Sequence, residues 1–345
     1  MHPGILNSSR HILVIRLSAI GDVAMAAPVV RQFAEQFPGM RFTMVSQPFL
    51  APLFEGVPNL HFIGANVYAN YRGLRGLWKL FKVLRAQKPD VIADIHNVLR
   101  TVILRIFFAC CGKRVHVVRK GLWARKTLTR RRRKKLHPLK TVFKRYCDVL
   151  EKCTGAKLPP DRPYRLPAFQ NGAGGIPANA IGIAPFAKHK GKIYPPEQME
   201  QVVAHFALAR GITVFLFGSA AESSVLEQWE YRYPHVHAVA GRLSLCDELA
   251  LMQQLPVMIT MDSANMHLAS FAGTPVVSVW GATHPYAGFY GWRQPPENTI
   301  GLPLPCRPCS VFGNKPCRRG NYPCLSAIKP LRIIEAAERV IRRKG

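Results

Sequence analysis

Acidic, basic and hydroxyl side chains follow several apolar segments of this sequence, where an α/β protein carries its ligand-binding groups. Asp262 and Ser263 come directly after the apolar residues 257–261, and His267 lies five positions beyond Asp262. Asp22 follows an earlier apolar segment through a Ser-Ala-Ile-Gly turn. The start of a helix favours phosphate because of its N–H groups and its dipole, and a carboxylate there can also act as a base.

Each of these residues also has an ordinary structural interpretation. Asp22 and Asp262 are typical helix N-caps, and a histidine such as His267 more often packs than binds a ligand. Lys192 is one surface lysine among many, or a cation that stabilises the charge of a departing nucleotide. We expect Glu222 to be a first-turn carboxylate favoured by the helix dipole, with a ribose contact as the weaker alternative.

Apolar strands and amphipathic helices alternate through both halves of the chain, which predicts parallel α/β sheets. The first half opens with a strand at 11–17, a turn at Gly21 and a helix at about 23–37, and the second half restarts at residue 180. The turn matches neither the dinucleotide fingerprint nor the P-loop. A Pro- and Gly-containing stretch at 165–177 is the predicted linker. We therefore expect two Rossmann-like domains, residues 1–170 and 171–345, with parallel sheets facing across a cleft.

The excess of positive charge is the strongest compositional feature. The 345 residues include 48 Lys and Arg but 19 Asp and Glu, a net charge of +29. Such a balance indicates a polyanionic partner. Cations concentrate at 119–145, including the unbroken run 130–135. This stretch is either a solvated loop or, as we favour, a contact for an anionic membrane surface or a phosphorylated glycolipid. Aromatic residues are sparse there, which argues against stacking on single-stranded nucleic acid.

The apolar segments and the cysteines indicate the cellular compartment in which the protein folds and works. The sequence shows neither a signal-peptide pattern nor an uncharged apolar stretch of about 18 residues, so we expect a cytosolic protein. Five of the nine cysteines lie in apolar or helical contexts, as small buried hydrophobic residues do. Four more, Cys306, Cys309, Cys317 and Cys324, are compatible with a structural zinc site, although disulfides or free thiols remain open. No catalytic metal site is predicted.

Three segments together are similar to a known family. They are HILVIRLSAIGDVAMAAPVVRQF, GKIYPPEQMEQVV and MDSANMHLASFAGTPVVSVWGATHP. They resemble the ADP-heptose:lipopolysaccharide heptosyltransferases of glycosyltransferase family 9, whose GT-B fold agrees with two Rossmann-like domains. The chain departs from the family pattern at Ala264, where glycine is usual, and at Tyr194, where tryptophan is usual.

The resemblance implies a role for each matching residue. Asp22 matches the general base that deprotonates the acceptor hydroxyl. Lys192 matches the lysine near the donor phosphates, and Asp262 and His267 match the donor-site signature, with Ser263 between them. The N-terminal domain would bind the acceptor and the C-terminal domain the nucleotide sugar. The implied reaction is metal-independent, inverting transfer of heptose from ADP-heptose to a lipopolysaccharide core acceptor.

The acceptor side of the resemblance is less specific. Side chains at the end of one strand and in the basic stretch are expected to hold a phosphorylated acceptor: Asp94, His96, Asn97, Arg100, Arg130 and Arg131. The enzyme would then work peripherally at the inner face of the cytoplasmic membrane. Two alternatives are a GT-B transferase with another nucleotide-sugar donor and a basic nucleic-acid-binding protein without transferase activity.

Overall fold

The structure is a computed structural model that describes residues 9–159, 163–167, 169, 176–177 and 179–344. The chain forms two compact units, one of Met1–Lys120 with Val142–Pro167 and one of Gly121–Thr141 with Ala168–Gly345. Residues 121–141 were assigned from the sequence to the first domain, yet they group with the second unit. Much of the predicted linker at 165–177, like residues 1–8, lies outside the described residues.

Strands and helices alternate as predicted. The strands are β1 (His11–Ile15), β2 (Arg41–Ser46), β3 (Leu60–Gly64), β4 (Val91–Asp94), β5 (Arg114–Val117), β6 (Ala180–Ala184), β7 (Thr213–Leu216), β8 (Val236–Ala238), β9 (Met258–Met261), β10 (Val276–Val279) and β11 (Thr299–Ile300). The helices are α1 (Ile20–Gln36), α2 (Gly73–Ala86), α3 (Leu99–Cys110), α4 (Leu122–Leu128), α5 (Val142–Thr154), α6 (Pro196–Ala204), α7 (Ser223–Arg232), α8 (Leu245–Gln254), α9 (Ala264–Ala272), α10 (Pro323–Ser326) and α11 (Pro330–Lys344).

Each unit is built on a parallel sheet. Among the described residues, the first sheet has the order β3-β2-β1-β4-β5 and the second the order β11-β10-β9-β6-β7-β8. The central strands β1 and β6 are buried along their whole length, as strands covered on both faces by helices are. The prediction of an α/β fold with parallel sheets is confirmed. In such sheets, side chains from different loops gather where the strands end.

Two helix starts differ from the sequence prediction. Helix α1 begins at Ile20, with Ala19 in the N-cap position, so Asp22 lies inside the first turn and is not a cap. Helix α9 begins after Ser263, because the Asp262 N–H still extends the sheet by donating to the Val279 carbonyl at 3.2 Å. The N-cap interpretation is therefore wrong for both aspartates, which leaves both carboxylates available for other partners.

None of the described helices combines the length and the apolar character that a membrane-spanning helix needs.

Candidate functional site

A buried ion pair lies at the edge of the second sheet where its strands end. The Nζ atom of Lys192 lies 2.9 Å from Oδ2 of Asp262. The Lys192 side chain is 16% exposed and that of Asp262 is 4% exposed, so the pair is largely withdrawn from water. Strands β6 and β9, which precede the two residues, pair side by side with Ala184 opposite Thr260. The sheet register therefore brings together two residues that lie 70 positions apart in the sequence.

Close backbone contacts fix the loop that carries Lys192. The Gly191 N–H donates to the Gly313 carbonyl at 3.2 Å, and the Gly191 carbonyl accepts from the Ala282 N–H at 2.8 Å. A Cβ atom on Gly191 would lie 2.7 Å from the Gly313 oxygen. Gly313 has a φ of +74°, and a Cβ there would lie 2.6 Å from Lys192 Cγ. Glycines at these two positions let the lysine stem lie directly against the backbone.

The start of α9 supplies donors beside the ion pair. Ser263 occupies the N-cap position, but its hydroxyl makes no cap hydrogen bond. Within the described part of the chain, the buried Oγ of Ser263 and Oγ1 of Thr283 have no hydrogen-bond partner. His267 lies one turn further along α9 and is buried. An unpartnered hydroxyl at a helix N-terminus, such as that of Ser263, suits the oxygens of a phosphate.

Two further residues of the second unit have structural partners. Glu222 closes a capping box, in which its carboxylate accepts the Ser219 N–H at 2.7 Å. This agrees with the first-turn interpretation and does not test the ribose contact. Tyr194 is fully buried, and its hydroxyl donates to the Ile328 carbonyl at 2.7 Å. Burial raises the pKa of Tyr194 to about 12. The departure from the family pattern at Tyr194 therefore lies in the core of this unit.

In the first unit, Asp22 is held by an arginine that the sequence analysis did not single out. The guanidinium of Arg16 lies 2.5 Å from Oδ2 of Asp22 and also donates to the Ile95 carbonyl at 2.9 Å. The Asp22 side chain is 31% exposed, so its carboxylate is fixed and still accessible. A lone charge at the end of an apolar strand was the signal that could have identified Arg16.

The loop after β4 is shaped by a buried carboxylate. Oδ1 of Asp94 accepts the N–H groups of His96 at 2.9 Å and Asn97 at 2.8 Å, while Oδ2 lies 3.5 Å from Nε of Arg105. Asn97 has a φ of 53°, a left-handed conformation that asparagine tolerates. Asp94 is fully buried. The Asp94 carboxylate therefore fixes the conformation of the loop. Contacts between the loop and an acceptor would come from the residues that follow Asp94.

His96 lies between this loop and the Asp22 turn. Its Nδ1 accepts the Leu17 N–H at 3.3 Å, which leaves the proton of the neutral ring on Nε2. Burial, together with Arg16, Lys120 and Arg100, lowers the pKa of His96 from 6.5 to about 3. The ring is thus a neutral hydrogen-bonding group at physiological pH. Arg100 lies in the first turn of α3, and its guanidinium carbon is 4.9 Å from the centroid of the Tyr68 ring.

Part of the basic stretch is held in the second unit by apolar packing and hydrogen bonds. Leu128, Leu139 and Ala287 form a small buried cluster, and the Leu139 N–H donates to the Tyr286 carbonyl at 2.8 Å. Nζ of Lys134 donates to the carbonyls of Cys306 and Arg307, both at 2.8 Å. Arg130 and Arg131 remain exposed. Their role in acceptor binding stays a prediction.

The four clustered cysteines are free thiols with unequal environments. Cys306 is exposed, Cys309 and Cys317 are intermediate, and Cys324 is buried. Burial raises the pKa of Cys324 to about 11 and also raises that of Cys309. In the described ranges, no group of three or more His, Cys, Asp or Glu side chains could hold a metal ion. Structural zinc at these cysteines stays a prediction.

The chain is similar to known glycosyltransferases of one family in both sequence and fold. Residues 77–317 match the model of glycosyltransferase family 9 (heptosyltransferase). The chain is 23% identical over 338 residues to lipooligosaccharide heptosyltransferase 2 of Campylobacter jejuni, covering 94% of this chain and 96% of that protein. It is similar to a family 9 glycosyl transferase structure from Veillonella parvula, with a TM-score of 0.75, 19% identity and coverage of 97% and 98%. The E. coli ADP-heptose lps heptosyltransferase II structure gives a TM-score of 0.68, 18% identity and coverage of 97% and 99%.

The chain belongs to glycosyltransferase family 9, because the family model spans most of it. It is therefore a glycosyltransferase of a family that acts in lipopolysaccharide core biosynthesis, and its fold class is GT-B, as predicted. Membership of this enzyme family argues against the alternative of a nucleic-acid-binding protein without transferase activity.

Proposed function

We propose that this chain transfers a heptose from ADP-heptose to a phosphorylated lipopolysaccharide core acceptor, with inversion and without a metal. The observation that carries the proposal is the buried Lys192–Asp262 pair beside the start of α9, 2.9 Å between Nζ and Oδ2. The name of the E. coli structural relative includes ADP-heptose, which supports this choice of donor.

Positive groups of the second unit would hold the diphosphate. Asp262 keeps the Lys192 ammonium at the sheet edge, and the N–H groups of the first turn of α9 add donors that suit phosphate oxygens. The Ser263 and Thr283 hydroxyls are further donors for a ligand. When the bond between the anomeric carbon and the diphosphate breaks, negative charge grows on the leaving ADP. Lys192 would stabilise that charge, the role a metal ion has in other transferases.

Asp22 of the first unit would act as the general base. Its carboxylate takes the proton of the acceptor hydroxyl as that oxygen attacks the anomeric carbon and ADP leaves, which inverts the configuration. The contact with Arg16 fixes the carboxylate in one orientation. Because the base is already positioned, the activation barrier does not include the entropy cost of orienting it.

Basic and neutral hydrogen-bonding side chains predicted from the sequence would select a phosphorylated acceptor. His96, Asn97 and Arg100 follow β4 in the first unit, and Arg130 and Arg131 are exposed in the second. Arginine binds phosphate through two parallel hydrogen bonds, which favours it for this purpose. We also propose that the enzyme acts peripherally at the inner face of the cytoplasmic membrane, where such an acceptor is anchored.

Calorimetric titration with ADP, UDP and GDP tests the donor assignment. We expect selective binding of ADP by the wild type and weaker binding by Lys192→Ala. Equal affinity for all three nucleotides would favour a transferase with another nucleotide-sugar donor. Binding that is unchanged in Lys192→Ala would contradict the assigned diphosphate site.

A further inference from the structure

Two neighbouring helices of the first unit expose apolar side chains that neither the core nor the proposed chemistry uses. On α2, Leu74 is 67% exposed and Trp78 is 46% exposed. On α3, Leu99 is 76% exposed and Ile106 is 54% exposed. A contiguous apolar surface on a folded protein marks a site of protein or membrane interaction more often than chance exposure.

These side chains belong to one surface because the two helices pack together. The ring of Trp78 meets that of Phe107 edge to face, with centroids 5.1 Å apart. On α3, Ile103 and Phe107 are half-buried and pack against the core, and Leu99 and Ile106 continue the same helical spacing on the exposed side. The apolar side of α3 therefore extends beyond what the core covers, and its exposed members Leu99 and Ile106 call for a partner.

The charge on this surface is of one sign. The exposed cations of α2 are Arg75, Lys79, Lys82 and Arg85, and neither α2 nor α3 contains an acidic residue. Between Glu55 and Asp148 the sequence has acidic residues only at Asp90 and Asp94. Both have partners inside the unit, since Asp90 accepts the His11 N–H at 2.7 Å and Asp94 holds the β4 loop.

We propose that the α2–α3 face is the surface by which this enzyme lies on an anionic lipid bilayer, with Leu74 and Trp78 inserted at the level of the headgroups. An apolar strip bordered by Lys and Arg is the pattern of interfacial helices, and tryptophan favours the interface. The lysine stems can lie along the apolar strip while their ammonium groups reach lipid phosphates. Indeed, Nζ of Lys82 lies 5.9 Å from the centroid of the Trp78 ring.

A second copy of this chain fits the face less well. A two-fold interface would place the cations of α2 against the same cations of the other copy, and like charges brought together in an interface are costly. The inference rests on the proposed peripheral location, and it names the surface responsible. The rival surface is the basic stretch of the second unit, where Leu122 is 69% exposed and Trp123 is 78% exposed.

The chain supplies its own reporters for the test. Of its five tryptophans, Trp229, Trp280 and Trp292 are buried, so Trp78 and Trp123 are the exposed ones. Full-length Trp78→Phe and Trp123→Phe proteins would be mixed with phosphatidylglycerol vesicles whose acyl chains carry bromine, a short-range quencher. We expect quenching in the wild type and in Trp123→Phe, and a loss of most of it in Trp78→Phe. Quenching that persists in Trp78→Phe and disappears in Trp123→Phe would overturn the proposal in favour of the basic stretch.

Co-sedimentation with the same vesicles gives a matched comparison. Leu74→Ser with Trp78→Ser should weaken vesicle binding by about tenfold or more, since both apolar anchors are lost. Leu122→Ser with Trp123→Ser changes the same residue types on the other helix and should bind within about twofold of the wild type. Equal weakening in both pairs, or weakening in the second pair alone, would contradict the assignment.

Two controls separate this inference from the proposed function. Transfer to a deacylated, water-soluble acceptor should be the same in Leu74→Ser/Trp78→Ser as in the wild type, because that assay needs no membrane. If no variant and not even the wild type transfers the sugar while vesicle binding is intact, the proposed function is contradicted and the membrane-binding surface is not. Analytical ultracentrifugation that shows a dimer lost in Leu74→Ser/Trp78→Ser would overturn the membrane assignment and make a second copy the occupant.

Discussion

The ammonium of Lys192 lies 2.9 Å from the carboxylate of Asp262, and both side chains are largely withdrawn from water. Burial of such a charge pair costs desolvation free energy. Removal of one partner strongly destabilises the folded protein, because the other charge is then buried alone. Here the pair holds a cation at the edge of the sheet where α9 begins.

Replacing Lys192 by alanine should reduce both ADP binding and stability. Loss of a charged hydrogen bond to the diphosphate should cost about 1.5–3 kcal/mol of binding free energy, or roughly 10- to 150-fold in Kd. The buried Asp262 carboxylate would lose its partner, which should lower the free energy of unfolding by about 3 kcal/mol. Calorimetry and urea unfolding measure the two effects.

The matched control for this change is Lys190→Ala, an exposed lysine of the same loop. It should leave both quantities unchanged. Asp262→Asn combined with Lys192→Ala should restore part of the lost stability, since neither charge is then buried alone. Equal losses in Lys190→Ala and Lys192→Ala would show that only the net charge matters.

Replacing Asp22 by asparagine should slow transfer severely without affecting donor binding. The amide cannot take the acceptor proton, so kcat should fall about 10²- to 10⁴-fold. The proposed ADP site consists of residues of the second unit, so the Kd for ADP should remain that of the wild type. Initial rates and ADP titration on the same preparation provide both values. An asparagine variant with near-normal kcat would remove Asp22 from the role of base.

Adding one methyl group at Gly191 should disturb the lysine loop. A Cβ there would lie 2.7 Å from the Gly313 oxygen and 3.0 Å from Ala282 Cβ, so the loop must shift. We expect ADP binding of Gly191→Ala to weaken by about tenfold, because a displaced Lys192 would lose its proposed contact with the diphosphate. Gly155→Ala is the control: its φ of +81° causes backbone strain, with nothing within 4 Å of the new Cβ. It should cost stability and leave ADP affinity intact.

The buried His96 should make stability fall on acidification. Its pKa is about 3 in the folded protein against an ordinary 6.5, so between these pH values the unfolded chain binds the proton more strongly. The free energy of unfolding should therefore decrease as pH falls below 6.5, with a contribution of about 1 kcal/mol per pH unit between pH 6 and 5. His96→Gln should lack this contribution in denaturant titrations. The exposed His137, changed to Gln, should keep the wild-type slope.

Much of the fold was accessible from the sequence because it depends on local periodicity. Apolar runs and amphipathic segments mark the strands and helices of both sheets, and the order of elements predicts parallel pairing. Asp262 and Lys192 could be identified as separate residues, each at the end of a strand. Their contact could not, since it depends on β6 and β9 being neighbours in the sheet.

Other features depend on long-range packing. One interpretation of the sequence made Asp22 the N-cap of α1. The helix instead starts at Ile20, and the Asp22 carboxylate pairs with Arg16. Residues 121–141 precede the second sheet by many positions, yet Leu128 and Leu139 pack with Ala287. Neither periodicity nor composition reports such contacts, because both describe the chain only over short distances.

The most direct measurement is transfer from ADP-heptose to a lipopolysaccharide core acceptor in the presence of EDTA, followed by NMR of the new anomeric centre. The proposed reaction predicts one ADP released per heptose transferred, a rate unaffected by EDTA and a product of inverted configuration. No product, a retained configuration or activity lost with the chelator would contradict metal-independent inverting transfer with Asp22 as the base.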